Sequence, residues 1–166
     1  MKKLICVLPI LLMLLCTADV QAQNYQTAIG ARLGYPLSAS IKHFINESHA
    51  LEGYIGTRGW STYRWTNISG AYQIHKPIEG VDGLQWYFGA GASVYFWNFR
   101  DDFVGGEFSN LNLGLQGYLG LDYTFSDVPI SITADWIPSI FLGGFLGGFG
   151  GGYGTLGVRY ILSGSN

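Results

Sequence analysis

Few side chains in this sequence could do chemistry, and their spacing is the first thing to test. The three histidines, His43, His49 and His75, could act as bases or ligands, but no two stand at a metal-ligand spacing. Serine hydrolysis needs a histidine beside the nucleophile and a carboxylate or amide to orient it. By the strand order derived below, the histidines lie at the opposite rim from the loops that carry Ser109 and Ser139. Asp101, Asp102 and Glu107 could hold calcium loosely, although a solvated acidic loop explains them as well. The tract Gly143–Gly154 matches a phosphate-binding glycine pattern only by its glycines, with no strand–turn–helix unit and no lysine beside it. Both cysteines, Cys6 and Cys16, lie at the N-terminus. No catalytic, cofactor or metal site is expected.

The elements that position the remaining polar residues begin after a leader. Lys2 and Lys3 precede an apolar run from Leu4 to Cys16, and Val20, Gln21 and Ala22 offer a small-residue exit. This is the pattern of a secretory signal peptide, and the run is shorter than the ~20 residues of a spanning helix. Cys16 raises the alternative of a lipid anchor, but Leu15 stands where a lipobox places a small residue. The expected organisation is a signal peptide at 1–22 and one domain at 23–166, the latter free of cysteine.

That domain alternates with a period of two. From Leu84 to Trp97 the even positions are apolar: Leu84, Trp86, Phe88, Ala90, Ala92, Val94 and Phe96. The odd positions carry Gln85, Tyr87, Gly89, Gly91, Ser93, Tyr95 and Trp97. Leu111 to Phe125 repeats the pattern with the faces exchanged, interrupted only by Gly117. A strand separates such sets cleanly, whereas a helix scatters them. Further strands are predicted near 26–36, 38–46, 50–58, 62–75, 130–138 and 152–162, eight in all. An even number of strands, long apolar faces and short turns alternating with longer loops describe an antiparallel up-and-down transmembrane β-barrel. The longer loops are expected near 98–110 and 139–151. Only 12% of residues are charged and 16% are aromatic, against roughly 25% charged in ordinary soluble domains. With 9 basic residues and a net charge of −2, nucleic acid is not an expected partner.

Parity then assigns faces. Arg32, Lys42, Glu52, Asp122, Asp135 and Arg159 fall on the non-lipid face of six staves that become consecutive on closure. Three are positive and three negative, so a mutually neutralising network inside the lumen is expected. Gln85, Gln116, Tyr87 and Tyr118 could satisfy its remaining donors and acceptors. Aromatic residues are expected to form two interfacial belts. Tyr35, Trp60, Tyr63, Trp65, Phe96, Trp97 and Trp136 lie near outward strand ends; Tyr25, Tyr123, Phe125 and Tyr160 lie near inward ends.

Three stretches, Gly30–Pro36, Trp86–Ala92 and Gly120–Pro138, give the chain a family likeness. It resembles the small outer-membrane beta-barrel protein family of Gram-negative envelopes, related in architecture to the OmpA transmembrane domain and OmpX. Those motifs specify fold rather than activity. The resemblance implies a non-enzymatic integral outer-membrane protein with a structural or surface-interaction role. The alternatives are a narrow pore for small solutes or ions and, further off, a lipid-modifying enzyme. The implied partners are outer-membrane lipid and lipopolysaccharide, the barrel-assembly machinery and periplasmic chaperones, with the protein a monomer. The chain departs from the family pattern at its end, where a polar tail follows Tyr160 and Leu162, either of which could carry the assembly signal.

Overall fold

The protein is described by a computed structural model covering residues 25–59, 63–101, 106–142 and 148–164. The leader at 1–22 lies outside the described residues. The alternating segments form eight strands: β1 (Tyr25–Gly34), β2 (Leu37–Phe44), β3 (His49–Gly59), β4 (Tyr63–Pro77), β5 (Leu84–Asp101), β6 (Gly106–Thr124), β7 (Ile130–Leu142) and β8 (Gly148–Gly164). Each pairs antiparallel with the next, and β8 closes on β1 to make a barrel. Closure leaves no continuous unpaired edge, which in an open sheet would template aggregation.

Burial follows the pleat. On β2, Ser38, Ser40, Lys42 and Phe44 are buried while Leu37, Ala39, Ile41 and His43 are exposed. The distribution is the reverse of a soluble core. Ile41 is 50% exposed and Leu156 56%, whereas Lys42 and Arg159 are at 0%. One rim, here the near rim, holds Tyr25 and Gly164, which are paired, together with the connections at 45–48, 78–83 and 125–129. The opposite, far rim holds the β1–β2 turn at Tyr35 and Pro36.

The near-rim connections are built by local chemistry. The Asn46 side-chain carbonyl accepts from the backbone N–H of Ser48 at 3.0 Å and of His49 at 2.9 Å, so the side chain substitutes for a backbone turn. Gly83 has φ +81°, and a Cβ there would lie 2.2 Å from the carbonyl oxygen of Thr124. Only glycine fits that close approach.

Three departures from simple alternation have local causes. The β5–β6 ladder runs on to Asp101↔Gly106, and β7 and β8 extend to Leu142 and from Gly148. The loops expected at 98–110 and 139–151 are therefore mostly strand. Ladder hydrogen bonds use only the backbone, so pairing continues past the point where apolar alternation stops. Gly117, which interrupts the apolar face of β6, lies beside Pro138 of β7, whose ring Cγ would be 3.2 Å from an added Cβ. Pro138 has no N–H to donate, and the recorded β6–β7 pairing skips from Gln116↔Ser139 to Leu119↔Trp136. Finally, the register of β1 against β8 shifts between Tyr25 and Ala28. That bulge turns both Tyr25 and Ala28 inward, although three positions separate them.

Candidate functional site: the barrel lumen

The six charged residues of the inner face come from β1, β2, β3, β6, β7 and β8, and the structure brings them into one buried cluster. All are at most 7% exposed. Arg32 reaches across the lumen with both guanidinium ends: Nη1 donates to Glu52 Oε1 at 3.0 Å, and Nη2 to the two Asp135 oxygens at 2.9 and 2.7 Å. Arg159 donates from Nη2 to Glu52, from Nη1 to Thr133 Oγ1 at 2.9 Å, and from Nε to Ser40 Oγ at 3.2 Å. Lys42 Nζ stands 3.1 Å from Asp122 Oδ2 and 4.0 Å from Glu52 Oε2. Glu52 is thus the hub, facing all three cations.

Neutral side chains complete the coordination. Gln73 Nε2 donates to Glu52 Oε2 at 2.7 Å. Tyr25 and Ser131 donate to Asp122 at 3.0 and 2.5 Å, and Tyr87 and Thr155 both donate to Asp135. The cations also lie over aromatic faces, Arg32 4.7 Å from the Tyr54 centroid and Lys42 4.6 Å from that of Tyr87. Buried ions cost several kcal/mol each unless geometry and hydrogen bonds compensate. Arginine's wide planar fork lets one side chain hold carboxylates with separate nitrogens in a fixed geometry.

Above this ionic layer, toward the far rim, lies a neutral hydrogen-bonded layer. Gln116 Oε1 accepts from Tyr54, Ser93 and Tyr118 at 3.0, 2.5 and 2.8 Å, and its amide donates to Tyr95 OH at 3.0 Å. Ser69 and Ser93 are 2.5 Å apart, and the Asn67 amide donates to Ser69 at 2.7 Å. Gln116 and Tyr118 therefore serve this layer and not the ions, unlike Tyr87.

The far end of the lumen is capped by rings. Trp65 is 2% exposed and packs with Tyr35, Tyr95 and Trp97 at centroid distances of 5.4 to 5.7 Å. Tyr35 stacks on Tyr153 at 4.8 Å, Phe141 meets Tyr95 edge-on at 5.0 Å, and the Arg58 guanidinium lies 3.6 Å over Tyr35. At the near end, Tyr25, Ala28, Phe44, Ala50 and Ile161 form an apolar floor.

This placement corrects the belt expectation, first for three residues. Trp65 and Trp97 share the inward face with Ser69 and Ser93, and Tyr35 turns over the mouth, so none of the three sits in an outer belt. Where strands continue beyond the ion pairs, the lumen still has to be filled, and large rings fill it. Tyr25, by its bulge, also points inward. Trp136 does face outward, at 51% exposed, but Ile140 and Leu142 continue the apolar wall beyond it, so it stands within the wall and not at its edge. Tyr123, Phe125 and Tyr160 are half-buried near the near rim, Tyr123 and Phe125 meeting edge-on at 4.8 Å. Trp60 and the side chain of Tyr63 lie outside the described residues, as do the side chains of Asp101, Asp102, Glu107 and Ser109.

Two histidines lie outside the lumen: His43 Nδ1 is 2.9 Å from Thr27 Oγ1 and His49 Nδ1 2.5 Å from Tyr72 OH. His75, 1% exposed, lies inside it beside the ion cluster, its Nε2 3.4 Å from Gln73 Oε1 and its ring stacked on Tyr87 at 4.7 Å. Sequence reading missed Tyr25, Ser40, Gln73, Ser131, Thr133 and Thr155 as partners of the ions. For all of them but Tyr25, inward parity was the available signal.

No protein-family model matches the chain, and no curated protein matches it in sequence. Solved structures do match in shape. The crystal structure of the N-terminal β-barrel domain of Pseudomonas aeruginosa OprF is similar with a TM-score of 0.65 at 18% identity, covering 83% of this chain and 97% of that one. Neisserial surface protein A (NspA) is similar with a TM-score of 0.58 at 15% identity, covering 82% and 93%. The chain shares the fold of these small barrels.

Proposed function

We propose that the chain is an integral outer-membrane barrel with a sealed lumen, serving a structural or surface-interaction role and not catalysis. The observation that carries this reading is the filled interior: apolar floor, balanced ions, neutral hydrogen bonds and aromatic cap succeed one another along the barrel. A side-chain-filled interior is what an eight-stranded barrel has room for. The exterior supports the membrane. On β7 the outward residues Ile132, Ala134, Trp136, Pro138, Ile140 and Leu142 are unbroken by a charge. At ~3.3 Å per residue and a tilt near 40°, such a stretch is about 25 Å tall, the height of a bilayer's apolar band.

The topology test uses single cysteines in the cysteine-free barrel. With the near rim in the periplasm, Asp102→Cys, in the β5–β6 connection, should react with a membrane-impermeant maleimide on intact cells. Glu79→Cys, in the β4–β5 connection, should react only after the outer membrane is permeabilised. The reverse pattern would invert the orientation. Recovery of the protein in the soluble fraction would remove the membrane reading altogether.

A further inference from the structure

We propose that the exterior of β3, β4 and β5 near the far rim binds a phosphorylated glycolipid of the lipid A type. In this site Arg64 holds a phosphate, and a groove floored by Gly70 and Ala92 takes an acyl chain. The proposal rests on the membrane reading above and adds a defined lipid-binding site to it.

The register defines the site. Outward residues lie in rows across neighbouring strands. One row is Ile55, Ile68 and Val94; the next toward the far rim is Thr57, Thr66 and Phe96; the next is Gly59, Arg64 and Asn98. Chemistry therefore passes from aliphatic to hydroxyl to cation between Ile68 and Arg64, a rise of about 13 Å along the strand at ~3.3 Å per residue. That is the transition from acyl chain to headgroup. Arg64 is exposed and forms no ion pair or hydrogen bond with any residue whose side chain is described. A guanidinium at headgroup level presents a fork suited to two phosphate oxygens. Thr57, Thr66 and Asn98 beside it offer the neutral donors and acceptors that sugar hydroxyls need.

A second, independent feature lies below in the same column. Ile68, Gly70, Ala92, Val94, Leu113 and Leu142 line a groove in the apolar wall. A Cβ added to Gly70 would meet nothing within 4 Å, so the missing side chain leaves open space on the lipid face. Charge also distinguishes the two rims. The near-rim connections and their flanks carry Glu47, Glu79, Asp82 and Asp127 against Lys76, whereas at the far rim Arg58, Arg64 and Arg100 stand against Asp101, Asp102 and Glu107. An anionic headgroup is disfavoured at the near rim, and at the far rim it is drawn to the β3–β4 hairpin, which carries two arginines and no carboxylate.

The test titrates the full purified chain in detergent micelles with lipid A, lipid A stripped of phosphate, the deacylated phosphorylated disaccharide, and phosphatidylglycerol. Lipid A should bind saturably, and Arg64→Gln should weaken it about tenfold, the loss of one charge-assisted contact. Removing the phosphates should have a similar effect. Gly70→Leu should weaken lipid A severalfold and leave the deacylated disaccharide unchanged; Ala92→Leu, on the same floor, substitutes if that variant does not fold. Wild-type affinity in both Arg64→Gln and the groove variant overturns the site. Equal binding of phosphatidylglycerol overturns the glycolipid assignment. Wild-type protein that inserts into phosphatidylcholine vesicles but ignores lipid A sinks this inference alone, whereas failure to insert sinks the membrane reading beneath it.

Discussion

Glu52→Ala should lower the stability of the barrel by about 3–5 kcal/mol, the usual cost of removing one partner from a buried ion cluster. Glu52 accepts from Arg32 at 3.0 Å and from Arg159, takes the Gln73 amide at 2.7 Å, and stands 4.0 Å from Lys42. Its loss leaves three cations facing two carboxylates among side chains that are at most 7% exposed. The measurement is the urea midpoint of refolded protein in detergent, read by the heat-modifiable gel band. Glu52→Gln, which keeps shape and one acceptor, should lose nearly as much, because the deficit is of charge. Adding Arg159→Met to Glu52→Gln restores balance between cations and carboxylates, and should recover at least about 1 kcal/mol of that loss as coupling energy. Simple additivity of the two would mean that the cluster does not act as a unit.

The second large effect belongs to the aromatic cap. Trp65→Ala should cost about 3–5 kcal/mol, the range for emptying a buried aromatic site. Trp65 is 2% exposed and touches Tyr35, Tyr95 and Trp97, so the strands around it cannot collapse into the void without breaking those ring contacts. Trp136→Ala is the matched control. That indole is 51% exposed on the outer wall, and in a bilayer its space is refilled by lipid. The same midpoint assay should show a much smaller change for Trp136 than for Trp65. Equal losses would place Trp65 in a belt after all.

Much of this architecture is written in alternation. Leu84 to Phe96 and Leu111 to Phe125 could only be strands, and the eight-stranded closed barrel found is the expected fold. Parity also puts Arg32, Lys42, Glu52, Asp122, Asp135 and Arg159 on one face. Parity says nothing about which cation meets which carboxylate, because that depends on the stagger between strands far apart in sequence. Arg32 and Asp135 meet across 103 positions, and Arg159 and Glu52 across 107. Bulges are equally silent. Tyr25 follows the outward parity of Ile29 and Leu33, and only the register shift brings it to Asp122. Trp65 and Trp97 show a different difficulty. Residue type favours a belt and parity favours the lumen, and in the structure parity wins, since a strand cannot turn one side chain without a bulge. The far-rim strand ends escaped notice because Asn98, Arg100 and Ser109 are poor strand formers by composition, yet their backbones pair as Asn98↔Ser109 and Arg100↔Glu107.

The sealed interior is tested most directly by recording from purified, refolded protein in planar bilayers. A lumen filled from apolar floor to aromatic cap should give no unitary conductance above the bare membrane, in wild type and over the full range of applied voltage. Reproducible unitary steps from homogeneous, heat-modifiable protein would contradict the sealed lumen and make the chain a narrow pore.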